Sequence, residues 1–297
     1  DAELMAENGI SHGPFKFART DTDEIEREFF YMPKWIETPH FRIGAELEAW
    51  KVPESERKAY RAELTELAEK WPEINPRRST LDPWLRAHLI AERMETLYAE
   101  FQEIVGRTEE SFWDEERNRN LGIGPYLGEH DKYEIMIFQG RSLYGEFMSV
   151  TWGLTYLKPQ RWNIADRSTL WFGLNLEEDQ IRHDQHLHNF LRHNLAHNLL
   201  NGYEYYGYEL PVWITEGFAH WMERKNDKRF NMFDSIEGSF EAVRNLEDWA
   251  PVVRKLVQKD EAASFSQLLR RKSFAEIDFE DHLVIWSKID FLVRYDG

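Results

Sequence analysis

Two histidines, His193 and His197, stand four positions apart in "LRHNLAHNLL", residues 191–200. On an α-helix four residues turn through about 400°, so both side chains leave one face on adjacent turns and can reach one cation. The chain has 11 histidines, and such a pair by itself is weak. The stronger observation is "ELPVWITEGFAHWME", residues 209–223, in which Glu216 follows His197 by nineteen positions. Two imidazoles and one carboxylate are a standard protein donor set for zinc in hydrolases, which leave a fourth position to water. A second helix carrying Glu216 toward the first would close that triangle. Asn194 follows the first histidine. An amide can hydrogen-bond a metal-bound water but cannot accept its proton.

These residues resemble the gluzincin metallopeptidases. The pattern H-x-x-x-H, eighteen residues, then W-x-x-E-G-F-A is similar to that of the M1 aminopeptidases and of bacterial peptidase MA-like domains. It is carried by His193, His197, Trp213, Glu216, Gly217, Phe218 and Ala219. The resemblance is tight over residues 191–223 and loose over the order strand, helix, strand, metal helix, glutamate helix, helical tail. It implies an α+β, thermolysin-like fold with a mixed-sheet N-terminal lobe and a helical C-terminal lobe. It also implies one Zn2+ held by His193, His197 and Glu216, and a peptide or protein ligand in a cleft between the lobes. "STLWFGLN" (168–175) is similar in position to the family's edge strand, which pairs with an extended peptide.

Active members of that clan carry a glutamate where this chain has Asn194. That glutamate takes the proton of the metal-bound water, a step worth on the order of 10²–10⁴ in rate. Three readings follow. The chain is a pseudo-peptidase that keeps zinc and a peptide-like ligand. Or it remains a hydrolase with a recruited base, for which Asp184, Glu204, Glu209 and Glu223 are candidates. Or the metal is lost too and the fold is a structural or interaction module. The family's transition-state-stabilising group has no motif here; Tyr203, Tyr205, Tyr206, Tyr208 and Tyr295 all remain open.

Neighbouring residues have a bland and a functional reading. His186, seven before His193, could line the groove or act as an extra ligand, but a solvent position at the start of the helix is the ordinary expectation, as it is for His183 and His188. His220, four after Glu216, is either packed or an orienting partner for Glu216 or a ligand histidine, since metal ligands need such partners. Trp213 reads as core beside the metal helix. Glu223 reads as a surface or orienting carboxylate. The tyrosine-rich "YEYYGYELP" (203–211) either lines a groove or covers the helix pair.

Around this constellation the pattern predicts an extension over 1–35 with a short acidic helix near "DTDEIEREFF", an α/β lobe over 36–186 and a helical lobe over 187–297. Strands are expected at 40–47, 133–140 and 168–175 by apolar content and bounding breakers. Helices are expected at 53–71, from Asp82-Pro83 to about Gly106, at 142–150 and at 184–200, then at 214–225, 234–244, 247–258, 264–270 and 278–294. The glycines of "RNRNLGIGPYLG" (117–128) follow no strand and open no helix, so they form a loop rather than a phosphate cradle.

Composition narrows the class. Of 297 residues, 42% are hydrophobic and 31% charged, which describes a folded domain with a sizeable core. The net charge is −17, with no basic run to track a phosphate backbone, so nucleic acid is not an expected partner. Without cysteine, disulfides, thiolate metal sites and a thiol nucleophile are excluded. No apolar run approaches the ~20 residues of a membrane-spanning helix. Export from a bacterial cytoplasm is the favoured location, by analogy with similar domains.

Overall fold

The computed structural model describes residues 2–30, 32–112, 124–177, 181–206, 210–236, 239–240 and 246–295. The chain opens with α1 (Ala2–Glu7), a hairpin of β1 (Lys16–Phe17) and β2 (Thr20–Asp21), and α2 (Thr22–Phe29). The Asp21 carboxylate caps α2 by accepting from the Glu24 N–H at 2.8 Å. Next come β3 (Lys34–Glu37), β4 (Phe41–Ala45), β5 (Trp50–Lys51), α3 (Arg57–Lys70) and β6 (Thr80–Leu81). α4 (Pro83–Val105) begins as expected: Asp82 accepts from Leu85 N–H, and Pro83 loses no helical bond at the first position. It ends at Gly106, whose φ of 63° is the left-handed conformation that glycine tolerates. β7 (Tyr133–Phe138), α5 (Arg141–Trp152), β8 (Gln160–Ile164) and β9 (Thr169–Asn175) complete the first part. The second part holds α6 (Asp184–Gly202), α7 (Val212–Asn226), β10 (Asp234–Ile236), β11 (Ser239–Phe240), α8 (Ala250–Gln258), α9 (Phe265–Leu268) and α10 (Phe279–Arg294).

Five strands form a mixed sheet in the order β3-β4-β7-β9-β8. β4, β7 and β9 run parallel, and β3 and β8 flank them antiparallel. All six residues of β7 are buried, as befits a central strand covered on both faces. Its alternate residues serve different cores. Ile135 and Ile137 pack with α4 and α6, while Met136 and Phe138 pack with α2 and α5. The protein is thus a mixed α/β fold with a mixed sheet, as the α+β expectation required.

Two expectations change. "STLWFGLN" is not an edge strand: β9 lies between β7 and β8, and β8 is the outer strand. Its hydrophobic run reflects that interior place. The segment 234–244 opens not as a helix but as the β10–β11 hairpin, while 237–238 and 241–245 lie outside the described residues. Phe17, Ala18, Ile25 and Phe29 join the core beneath the sheet. Among the described residues, one apolar cluster draws side chains from both sides of residue 186, from Ile36 to Ile289. Most of the expected 117–128 loop, through residue 123, lies outside the described residues.

The start of the metal-helix candidate is fixed by charge. Asp184, the first residue of α6, accepts from Arg86 Nη2 at 3.0 Å, Arg93 Nη1 at 3.0 Å and Tyr60 Oη at 2.7 Å. Burial opposes its ionisation, yet the Arg93 and Arg86 guanidiniums beside it hold its pKa down to about 2. α6 is thereby tied to both α4 and α3. Gly217 lets α7 approach α10 closely: a Cβ there would meet Ile289 Cγ1 at 2.7 Å and the Ile285 carbonyl oxygen at 3.1 Å. The glycine of E-G-F-A therefore has a packing role beside the glutamate it follows.

Candidate metal centre

α6 and α7 bring the expected triad together. His197 Nε2 lies 3.1 Å and His193 Nε2 3.5 Å from Glu216 Oε2. With Zn–N and Zn–O bonds of about 2.0–2.2 Å, the ligand atoms of a tetrahedron stand roughly 3.3–3.6 Å apart. The observed spacing fits a cation of that size. His193, Asn194, His197 and Glu216 are all 0% exposed, so the cluster is sealed within protein rather than lining an open cleft.

A second carboxylate, the fourth member, completes the group. Asp234, from β10, places Oδ1 3.6 Å from His193 Nε2 and Oδ2 3.8 Å from His197 Nε2. One ligand atom from each of His193, His197, Glu216 and Asp234 lies within 4.8 Å of all the others, so these four residues could hold a metal ion. Asp234 also donates its backbone N–H to Glu216 Oε1 at 3.2 Å, which locks the hairpin to α7.

Glu223 sits behind the histidines. Its Oε1 accepts from His220 Nδ1–H at 2.7 Å, and its Oε2 lies 3.2 Å from His193 Nδ1, an ion-pair contact off the hydrogen-bond line. Met232 N–H donates to it as well. A carboxylate facing Nδ1 keeps a proton there and turns the Nε2 lone pair forward, toward Glu216 and Asp234. A His193 Nε2 facing two carboxylates must either carry a proton or meet a cation. His193 Nε2 makes no hydrogen bond of its own although it is buried. Burial by itself would lower the His193 pKa, but Glu223 and Glu216 outweigh it and hold it well above the usual value. Burial would raise the Glu216 pKa, yet His220 and His193 hold it well below the carboxylate range. The field at this point favours a cation.

His220 makes polar contacts inside the cluster rather than packing on apolar groups alone. Its Nε2 stands 3.3 Å from Glu216 Oε1 and 2.8 Å from His282 Nδ1, itself 3.2 Å from Glu216 Oε1. His282, on α10, carries no spacing signal toward α7, and nothing short of the fold reveals it.

Asn194 is spoken for. Its side-chain oxygen accepts from Arg161 Nη1 at 2.6 Å, and its Nδ2 donates to the Phe190 carbonyl at 3.0 Å. Arg161 Nη2 meets Asp234 Oδ2 at 2.6 Å. Register explains the reach: Arg161 on β8 pairs with Phe172, whose ring packs on Phe190 of α6, so both side chains leave the sheet on the metal-helix face. The guanidinium beside Asp234 outweighs burial and lowers its pKa. Both residues were invisible to sequence reasoning. Arg161 sits in "QRWNI", too short and polar to read as a strand. Asp234 falls in the span expected to be helical, although the glycine in "DSIEGSF" is a turn signal.

The other candidates are placed elsewhere. Trp213 is core, its ring 5.4 Å from that of Phe265. Asp184 is committed to its two arginines, and Glu223 stands behind His193 rather than beside a fourth coordination position. Glu204 adopts a φ of 61° in the turn after α6 and bonds Leu127 through its backbone. The ring of Tyr203 packs near Phe101 and Phe112, that of Tyr205 near His130, and that of Tyr295 on Phe291, while Tyr206 N–H donates to Glu129. Tyr208 and Glu209 lie outside the described residues. No protein-family model matches the chain, and neither a curated protein nor a solved structure matches it.

His186 and His188 are buried, against the solvent positions expected of them, and His186 stacks on Phe230 with centroids 4.8 Å apart. The helix start packs against the 227–230 turn and so is not open to water. Burial lowers the His186 pKa to about 4. The unfolded chain takes up a proton there near 6.5, the native state only near 4. Its contribution to stability is therefore intact above 6.5 and is lost as pH falls from 6.5 toward 4, by up to about 2–3 kcal/mol. Urea unfolding at pH 7 and pH 4 should show a steeper acid loss in wild type than in H186Q. Equal losses would place His186 in solvent.

Proposed function

We propose that the chain is a zinc-binding protein of gluzincin, thermolysin-like type that no longer hydrolyses peptides. What carries this reading is Asn194: the position of the clan's proton acceptor holds an amide, and a buried guanidinium is bonded to it. His193, His197 and Glu216 would hold the ion, with Glu223 and His220 orienting them. Zinc in such a site supplies Lewis acidity and lowers the pKa of bound water toward ~7. Asn194 cannot accept a proton, and Arg161 holds Asp234, the carboxylate that faces both imidazoles with Glu216, in its ionised and weakly basic form. An extended peptide or protein segment remains the proposed ligand, and the outer strand it would meet on that side of the sheet is β8 rather than β9.

Metal analysis after purification in zinc-containing buffer should find about one zinc per chain and none in H193A. Hydrolysis of peptide libraries should stay at background with and without chelator. Turnover by wild type that a chelator abolishes would overturn the reading. One observation favours a metal-free interaction module instead: with His193 and His220 protonated, three cations including Arg161 balance the three anions Glu216, Glu223 and Asp234. A zinc-replete protein without metal would establish that alternative.

A further inference from the structure

We propose that Asp234 is a fourth protein ligand and, clamped by Arg161, closes the coordination of the cation, so that no position is left for water or substrate. The proposal rests on the reading of His193, His197 and Glu216 as metal ligands and goes on to say what regulates that site. Catalytic zinc sites keep one position open, whereas structural sites are filled by four protein atoms.

Three observations carry it. The Asp234 oxygens lie 3.6 Å and 3.8 Å from the two ligand imidazole nitrogens, only a few tenths of an ångström beyond the spacing within the triad. Asp234 is 4% exposed and its backbone is bonded to Glu216, so the carboxylate is held by a second link and not merely parked nearby. Arg161 then joins the two unusual residues of the centre. One nitrogen binds Asn194 and the other binds Asp234, and the guanidinium is itself buried, with Phe274 packed 5.7 Å from it and the same ring 5.7 Å from His197. A glutamate at 194 and an open fourth position would be what hydrolysis needs. This chain has replaced the first and filled the second, and one arginine secures both. The occupant is a carboxylate held between a cation and a guanidinium, so a free carboxylate is the chemistry that would replace it.

Cobalt(II) is the probe, because its visible absorption reports coordination number. The cobalt-loaded wild type should show an intense four-coordinate spectrum that neither azide nor acetate moves. Cobalt-loaded D234A should respond to both, with acetate restoring a wild-type-like spectrum. Where D234A does not fold, D234N keeps the shape while losing the charged donor and serves the same comparison. A wild-type spectrum that shifts with azide would overturn the proposal, since a carboxylate waiting as a base beside an open position would admit the anion. Variants as unresponsive as wild type would overturn it as well. Failure of wild type to take up cobalt would instead remove the metal-site reading, and this proposal with it.

Discussion

Zinc loading should raise the melting temperature of wild type by about 8 °C or more, and E216A should not respond at all. A ligand at about a thousand times its Kd stabilises the native state by roughly 4 kcal/mol, and in a chain of this size each kcal/mol moves the midpoint by about 2 °C. The effect should be large because the four donors lie on three elements, α6, α7 and β10, which the ion would staple together. Removing Glu216 does more than delete a ligand. It withdraws the carboxylate that faces His193, His197, His220 and His282, leaving buried positive charge undercompensated. Breaking a buried pair from one side costs about 3–5 kcal/mol. E216A should therefore melt several degrees below the metal-free wild type, and its scans with zinc and with chelator should superimpose. If E216A gained as much stability from zinc as wild type, Glu216 would not be a ligand.

The face that could hold a metal ion was legible because it obeys local rules. His193 and His197 share a helical face by their spacing, and α7 begins within two residues of the expected start. The Asp82-Pro83 and Gly106 signals bracket α4 as their backbone chemistry dictates. What the sequence concealed is non-local. Arg161 precedes Asn194 by 33 residues and Asp234 by 73, separations that no helical or strand spacing rule connects. The three meet only because β8 extends the sheet edge and β10 brings Asp234 to the same face of α6. "STLWFGLN" was misplaced for a related reason. An apolar strand reads alike whether its neighbour is water or a further strand, and only the pairing with β8 settles which.

N194E alone should leave peptide hydrolysis at background. A new carboxylate at this position would face Arg161 Nη1, now 2.6 Å from the Asn194 oxygen. That contact would hold the carboxylate ionised and weakly basic, because a guanidinium favours the charged form. The substitution would also leave Asp234 in the fourth position, so no water would stand where a base could reach it. Restoring the glutamate is thus necessary to the clan's chemistry but not sufficient here. The double variant N194E/D234A removes the second obstacle. It opens the position beside the imidazoles to water, and a carboxylate at 194, even one weakened by Arg161, can take a proton that the Asn194 amide cannot. A positioned general base contributes on the order of 10²–10⁴ in rate, so the double variant should show chelator-sensitive peptide cleavage at least about 10²-fold above either single variant. Turnover by N194E alone would mean that Asp234 does not block the site, and the closed centre would have to be abandoned. Equal inactivity of all three, with zinc bound in each, would place the defect in ligand access through the sealed shell around His193 and His197 rather than in proton transfer.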